Sequence, residues 1–240
     1  MNHNLCAVGI PIVGLPSWEL MRSIVGLNSP HGFRYITSGE YRRPLPIDDA
    51  RNQIVKEFLS DKKLEWLLFV DSDAVLHNQT LNRLLSWDKP IVSALCFTRR
   101  VPIVPSFYGE QNDDGYYEIN LQTAMNWLAN HPQLLTKSAA IISKTDNALM
   151  QSPFVGMHAT LIKREVIEAM EPPYFVMKRE EKVGEDVFFC LQAAKLGYKS
   201  YVDMSVVAGH QSLHEFAGLD FQAWALWMQQ QKKYLSKNVT

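Results

Sequence analysis

The chain has 240 residues, with 24 lysines and arginines against 25 aspartates and glutamates and a formal net charge of -1. That balance gives no overall electrostatic attraction to nucleic acid or anionic membrane, and 47% apolar with 20% charged residues excludes an intrinsically disordered polymer. The length suits one large domain, or one domain with a small appendage.

The start, MNHNLCAVGIPIVG, has no basic leader region and runs straight into a strand-like segment, Cys6 to Val13. Ser17 is placed to N-cap a helix from Trp18 to about Gly26, and FRYITS from Phe33 reads as a second strand. After the turn-rich YRRPLPIDD, Ile54, Val55, Phe58 and Leu59 share one face of a helix that the preceding aspartates can cap. WLLFV is too continuously apolar to have a solvent face and predicts a central strand of a parallel sheet. Asn78 can cap the next helix, and KPIVSALCFT gives a further buried strand. This alternation predicts a doubly wound α/β architecture, with a mostly parallel sheet and helices on both faces.

Residues 101–150 break the pattern with Pro102, Pro105 and NDDGYY, followed by helical pieces around Leu121 to Ala129 and Leu134 to Ser143. They read as a substrate-facing excursion. PFVGMHATLIKREVIEAM then predicts a strand with a glycine interruption feeding a short helix, and KVGEDVFFCLQAAKLGYKSYVDMSVVAGH predicts a loop, a helix and a last strand. From residue 219 a tail carries Phe221, Trp224, Met228 and Leu235 at helical spacing. Its apolar stripe suits packing on the body or on a second copy. Cys6, Cys96 and Cys190 are scattered in apolar surroundings, which predicts buried free thiols and a reducing, cytoplasmic setting. No apolar run is long enough to cross a bilayer.

The strand LEWLLFV ends on Asp71, Ser72 and Asp73. In an open α/β sheet, ligands bind outside the carboxyl ends of the strands. Two like charges so close need a cation or donors to offset them, and Mg2+ or Mn2+ takes one or two protein carboxylates and fills its other positions with water and phosphate oxygens. The pair therefore implies a metal and a phosphate-bearing ligand, against the plain alternative of a surface turn. Glu185 and Asp186 follow Gly184 at a predicted helix start, where acidic groups are favoured by the helix dipole and where a simple cap is the structural alternative. His210 stands at the end of SVVAGH, in reach of a metal shell. His210 and His214 have i, i+4 spacing, but HQSLH lacks the glutamate of a zinc-protease helix.

In order along the chain, the ARN triplet Ala50 to Asn52, VDSD at Val70 to Asp73, VGMHATLIKREV, GEDVFF at Gly184 to Phe189 and YVDMSVVAGH ending at His210 resemble nucleotide-sugar glycosyltransferases of the GT-A fold, especially small family-2-like members. The resemblance implies a Rossmann-like single domain over residues 1–218, with a nucleotide-sugar half at 1–100, an acceptor half at 101–218 and a helical tail at 219–240. It further implies that Asp71 and Asp73 hold Mn2+ or Mg2+ and the sugar-nucleotide, with His210 a further metal ligand. Pro11, Val13, Asp48, Arg51 and Ser72 would lie about the nucleotide; apart from the resemblance, Arg99 and Arg100 follow a strand end where they could grip diphosphate or an anionic acceptor, or form a solvated charge pair. Asp186 would be the base for the acceptor hydroxyl, and Glu185 would contact donor or acceptor hydroxyls. The implied activity is transfer from a nucleoside-diphosphate sugar, a UDP-sugar first, with inversion, retention being the alternative among enzymes with an acidic pair and a terminal histidine.

LLFVDSDAV also resembles the haloacid-dehalogenase phosphatase signature, in which Asp71 would be a nucleophile and Asp73 an acid/base. That family places this strand near the start of its domain, whereas two strand-like segments and two helices precede it here. A non-catalytic nucleotide-sugar-binding module is the third reading. The acceptor stays open among a glycan, a small metabolite, a lipid carrier, a protein and a modified nucleic-acid base. Phe107, Tyr108, Tyr116, Tyr117 and Tyr174 are the aromatic candidates to stack against it. A homo-oligomer through the C-terminal helix is a further expectation.

Overall fold

The computed structural model describes residues 5–12, 16–30, 32–38, 45–98, 105–107, 121–135, 139–181 and 183–211. Strand β1 (Leu5–Pro11) leads to helix α1 (Trp18–Val25), which Ser17 caps by accepting the Leu20 N–H at 3.0 Å, a contact worth about 1 kcal/mol. Then follow β2 (Phe33–Ser38), α2 (Ile47–Ser60), β3 (Leu64–Val70), the short β4 (Ala74–Val75), α3 (Thr80–Leu85) and β5 (Ile91–Leu95). Apart from β4, which pairs with β10, this is the alternation that the apolar periodicity predicts. Two caps differ. Pro46 occupies the N-cap of α2, so Asp48 and Asp49 fall in its first turn, where they still complement the helix dipole. Gln79, not Asn78, caps α3, and His77 Nδ1 accepts the Gln79 N–H.

The later elements are α4 (Leu121–Asn130), β6 (Ala140–Ile141), β7 (Leu149–Ser152), β8 (Ala159–Lys163), α5 (Arg164–Glu168), α6 (Glu185–Lys195), β9 (Ser200–Val207) and β10 (Gly209–His210). The helical piece expected around residues 134–143 is instead a single 3-10 turn, Pro132–Leu135, followed by β6. Pairing of Ala140 and Ile141 with Val207 and Val206 of β9 overrides the local helical spacing.

Among the described residues the main sheet has eight strands, in the order β2-β1-β3-β8-β5-β9-β6, with β7 also on β9. β1 pairs parallel with β2 and β3, and β5 pairs parallel with β9. β8 lies antiparallel between β3 and β5. Thus β2, β1, β3, β5 and β9 all point one way, and β8 returns between them. β3 is buried on both faces as its composition requires, yet only one of its neighbours is parallel. The continuous apolar run reports coverage by helices, not neighbour direction.

Residues of α2, α5 and α6, with Leu128 of α4, join one buried cluster that includes Ile54, Phe58, Phe69, Val166 and Phe189. Residues of α1 and α3 join the other, with Leu20, Ile24, Leu68, Leu81 and Leu84. Helices therefore cover both faces, as expected. Gly9 of β1 sets how closely α2 approaches, because a Cβ there would lie 2.6 Å from Ile54 Cγ2. The three cysteines are buried and unpaired, and burial pushes the Cys6 and Cys190 thiols up to about 12. No helix among the described residues is long and apolar enough to cross a membrane. The tail at 219–240, with its expected stripe and any oligomer contact through it, lies outside the described residues.

Candidate functional site

Strand direction decides which residues meet. The carboxyl ends of β1, β3, β5 and β9 share one edge of the sheet, and antiparallel β8 brings its first residues to that same edge. Val70 pairs with Ala159, so the next step along each strand places Asp71 opposite His158, and the Asp71 N–H donates to the His158 carbonyl at 3.1 Å. The chain then turns through Ser72 and Asp73 into β4, which pairs with β10 so that Ala74 faces His210. The Gln211 N–H closes the ribbon on the Asp73 carbonyl at 2.8 Å. Two residues remote in sequence, His158 and His210, are thereby fixed beside the DSD turn.

Their hydrogen bonds define which ring nitrogens face it. His210 Nδ1 lies 2.8 Å from the Phe97 carbonyl, and His158 Nε2 lies 2.9 Å from the Gly209 carbonyl. A carbonyl only accepts, so each of these nitrogens carries hydrogen. The opposite nitrogens turn toward the carboxylates: His210 Nε2 is 3.4 Å from Asp73 Oδ2, and His158 Nδ1 is 3.5 Å from Asp71 Oδ2 and 4.0 Å from Asp73 Oδ1. His158 is 4% exposed, and its Nδ1 makes no well-formed hydrogen bond. The two rings lie 4.2 Å apart between centroids. One ligand atom each from Asp73, His158 and His210 falls within 4.8 Å of the others, a set able to hold a divalent cation. Burial alone would lower His158, but the Asp71 carboxylate facing it raises its pKa.

Arg51 joins the second acidic pair to the first. It projects from α2 on the face shared with Ile54, Val55 and Phe58 and is 3% exposed. Its Nη2 donates to Asp71 Oδ1 at 2.8 Å and its Nη1 to Glu185 Oε1, over the ring of Phe175. Phe175 in turn stacks on Phe189 at 4.8 Å and meets Phe69 edge-on at 5.3 Å. Burial would raise Asp71, yet Arg51 and His158 outweigh it and hold its carboxyl well below the usual range. Asp186 goes the other way: burial raises it, nearby Asp71 adds to the rise, and the attraction of Arg51 only partly offsets them.

Gly184 is the N-cap of α6, with Glu185 and Asp186 in its first turn. A Cβ at Gly184 would sit 2.6 Å from Asp186 Oδ1, so glycine leaves room for that carboxylate to fold back and accept the Val187 N–H at 2.7 Å. A Cβ at Gly156 would lie 3.8 Å from Asp186 Oδ2, which places Asp186 against the loop that carries His158.

Of the other residues expected at the site, Pro11 ends β1, two positions beyond the pairing of Gly9 with Phe69 and so level with Asp71. The Ser72 carbonyl accepts the Ser17 N–H at 3.2 Å, tying the DSD turn to the cap of α1. Asp48 Oδ2 accepts the Met177 N–H at 3.1 Å. Both Nη atoms of Arg51 are engaged by carboxylates, and Asn52 clamps the 174–175 segment with its Oδ1 on two backbone N–H groups and its Nδ2 on the Phe175 carbonyl. The ARN triplet therefore ties loops together. Val13 and Arg99 lie outside the described residues, as do Tyr108, Tyr116, Tyr117 and His214. Phe107 is 2% exposed, packed into the core, and so offers no face for an acceptor to stack on. Tyr174 is partly buried against the same core.

His158 has no counterpart in the sequence reading. The signal was present as a lone histidine opening a strand, but only the antiparallel placement of β8 sets it against Asp71.

No protein-family model and no curated protein matches the sequence. Solved structures do resemble the fold. The crystal structure of A197 from STIV is similar with a TM-score of 0.54 and 18% identity over 85% of this chain and 84% of that one. GalNAc-T7, solved with UDP, GalNAc and Mn2+, is similar with a TM-score of 0.51 and 14% identity over 86% of this chain. The likeness spans 43% of the GalNAc-T7 chain, under half its length. At these identities the likeness concerns fold alone. The architecture is a single-domain, GT-A-like α/β fold, a central mostly parallel sheet between helices.

Proposed function

We propose that the protein is a divalent-metal-dependent glycosyltransferase that moves a sugar from a nucleoside-diphosphate sugar, a UDP-sugar first, to an acceptor hydroxyl with inversion. The observation that supports this most is the meeting, at the ligand edge of a GT-A-like sheet, of Asp73, His158 and His210 in one candidate ligand shell beside Asp71, whose charge Asp186 also feels. The donor set fits a cation, since the buried Nδ1 of His158 has no hydrogen-bond partner and the Nε2 of His210 faces a carboxylate. Asp73 and His210 would hold the ion, with Asp71 kept ionised beside them by Arg51. Neutralising the charge that builds on the departing diphosphate is the chemistry such an ion supplies.

The chain's own residues do the rest. Asp186 accepts the proton of the acceptor hydroxyl, and its raised pKa makes it a better base near neutral pH than an ordinary aspartate. Glu185, held on Arg51, positions Asp186 by fixing the first turn of α6. The phosphatase reading receives less support: one oxygen of Asp71 accepts from Arg51 and the other faces His158, which ties up the carboxylate that would have to attack phosphorus.

Titration calorimetry with UDP, with and without Mn2+ or Mg2+, tests the proposal. Binding strengthens with metal, Asp73→Ala abolishes that metal dependence, and donor screening with water or sugar acceptors yields free UDP. Binding of UDP unaffected by metal would overturn it. Release of phosphate from a simple phosphomonoester, without nucleotide, would favour the phosphatase.

A further inference from the structure

We propose that His158 is itself a ligand of the divalent cation, so that two imidazoles and Asp73 hold the ion before any nucleotide arrives. This rests on the metal-dependent reading of the site and extends it to a residue outside the DSD turn and the C-terminal histidine. Three observations carry it. The ring is oriented as metal-binding imidazoles are, with the far nitrogen donating to a backbone carbonyl, Gly209 at 2.9 Å, and the near nitrogen aimed at the carboxylates. That near nitrogen is buried and without a hydrogen bond, in a ring 4% exposed. Finally, His210 has the same arrangement, with Phe97 in the role of Gly209, so both imidazoles offer a nitrogen to the space around Asp73.

In a neutral ring the buried Nδ1 lone pair would face the Asp71 and Asp73 oxygens at 3.5 and 4.0 Å, an arrangement relieved either by a proton on Nδ1 or by a cation. A cation there takes the nitrogen as a ligand together with Asp73 and His210. The donor set also sets a preference. Two nitrogens and one carboxylate suit first-row transition ions, whereas Mg2+ favours oxygen donors and retains water. The site should therefore bind Mn2+ without nucleotide and discriminate against Mg2+.

The test uses the full chain stripped of metal by chelator and titrated with Mn2+ alone, free Mn2+ being read by electron paramagnetic resonance. Pulsed measurements on the bound ion then count the coupled imidazole nitrogens. The expected result is two coupled imidazoles in the unaltered protein and one in His158→Gln, whose amide can keep the bond to the Gly209 carbonyl while Nδ1 is lost. Mn2+ affinity should fall on the order of 100-fold or more in that variant, beyond the usual effect of removing an outer-shell partner. Tenfold excess Mg2+ should displace little of the Mn2+. One coupled imidazole in the unaltered protein overturns the proposal even if the variant fails to fold, and so does unchanged affinity in a folded His158→Gln. Because no donor is present, failure of the glycosyltransferase reading is separable: two coupled imidazoles without turnover of any nucleotide sugar would uphold the ligand and reject the activity.

Discussion

Asp71 and Asp73 follow a strand, whereas Glu185 and Asp186 open a helix, yet each pair gives one carboxylate to Arg51 and uses the other elsewhere. Asp71 and Glu185 are the shared partners of the guanidinium. Asp73 faces the two imidazoles, and Asp186 lies against the loop before β8. The local environments then diverge: the carboxyl of Asp71 is held low by Arg51 and His158, while Asp186 is pushed up by burial. One buried cation thus separates the four carboxylates: Asp71 and Glu185 pair with it, while Asp73 faces the imidazoles and Asp186 accepts the Val187 N–H.

Removing that cation is the most damaging way to break the symmetry. In Arg51→Met, Asp71 and Glu185 lose their common partner inside the protein, and the expected loss is about 3–5 kcal/mol of stability in urea unfolding. A loss below about 1 kcal/mol would mean that the two pairs are not tied together through Arg51. The next effect separates the frame from the chemistry. Asp186→Asn can still accept the Val187 N–H, so the fold persists while sugar transfer falls on the order of 100-fold or more, the effect of losing a general base. Glu185→Gln, which keeps an acceptor for Arg51 but not its charge, should lower stability by about 1.5–3 kcal/mol. Unfolding and initial-rate measurements on both variants check the division. Transfer unchanged in Asp186→Asn, with stability lost instead, would reverse the two roles.

The same division marks what could be read in the sequence. β1, β2, β3 and β5 follow from local signals: a serine cap, period-two and period-3.6 apolar patterns, and turn-rich breaks, whereas β4 exists only through its pairing with β10. Asp71, Asp73 and His210 stand out in the sequence because they close or directly follow strand-like runs. Arg51 could have been read further, since it falls on the same helical face as Ile54, Val55 and Phe58 and so had to be buried and paired. His158 could not, because its place depends on β8 lying antiparallel between β3 and β5. Strand order is a long-range property, and a five-residue apolar run carries no mark of which neighbours it will take. The start of α2 also answers to a distant partner: Asp48 accepts the Met177 N–H, 129 residues away.

The smallest effect is also the sharpest on the comparison, because the two aspartates should respond to acid with opposite signs. Asp71 has a depressed folded pKa, so it contributes stability that is present above the ordinary aspartate value of about 3.9 and lost as pH falls through the folded value. Asp186 has a raised folded pKa, so its ionised form costs stability above that value, and the cost disappears as pH falls below about 3.9. Urea midpoints between about pH 7 and about pH 3 separate the two. Asp71→Asn should be less stable than the unaltered protein near pH 7, with the gap narrowing below about pH 4 as the unfolded chain's carboxylate takes up a proton while the native one is still ionised. Asp186→Asn should be at least as stable near pH 7, with any gain shrinking toward acid. Two variants shifting in the same direction would show that Arg51 does not sort the carboxylates, and that their environments differ for some reason other than which of them it holds.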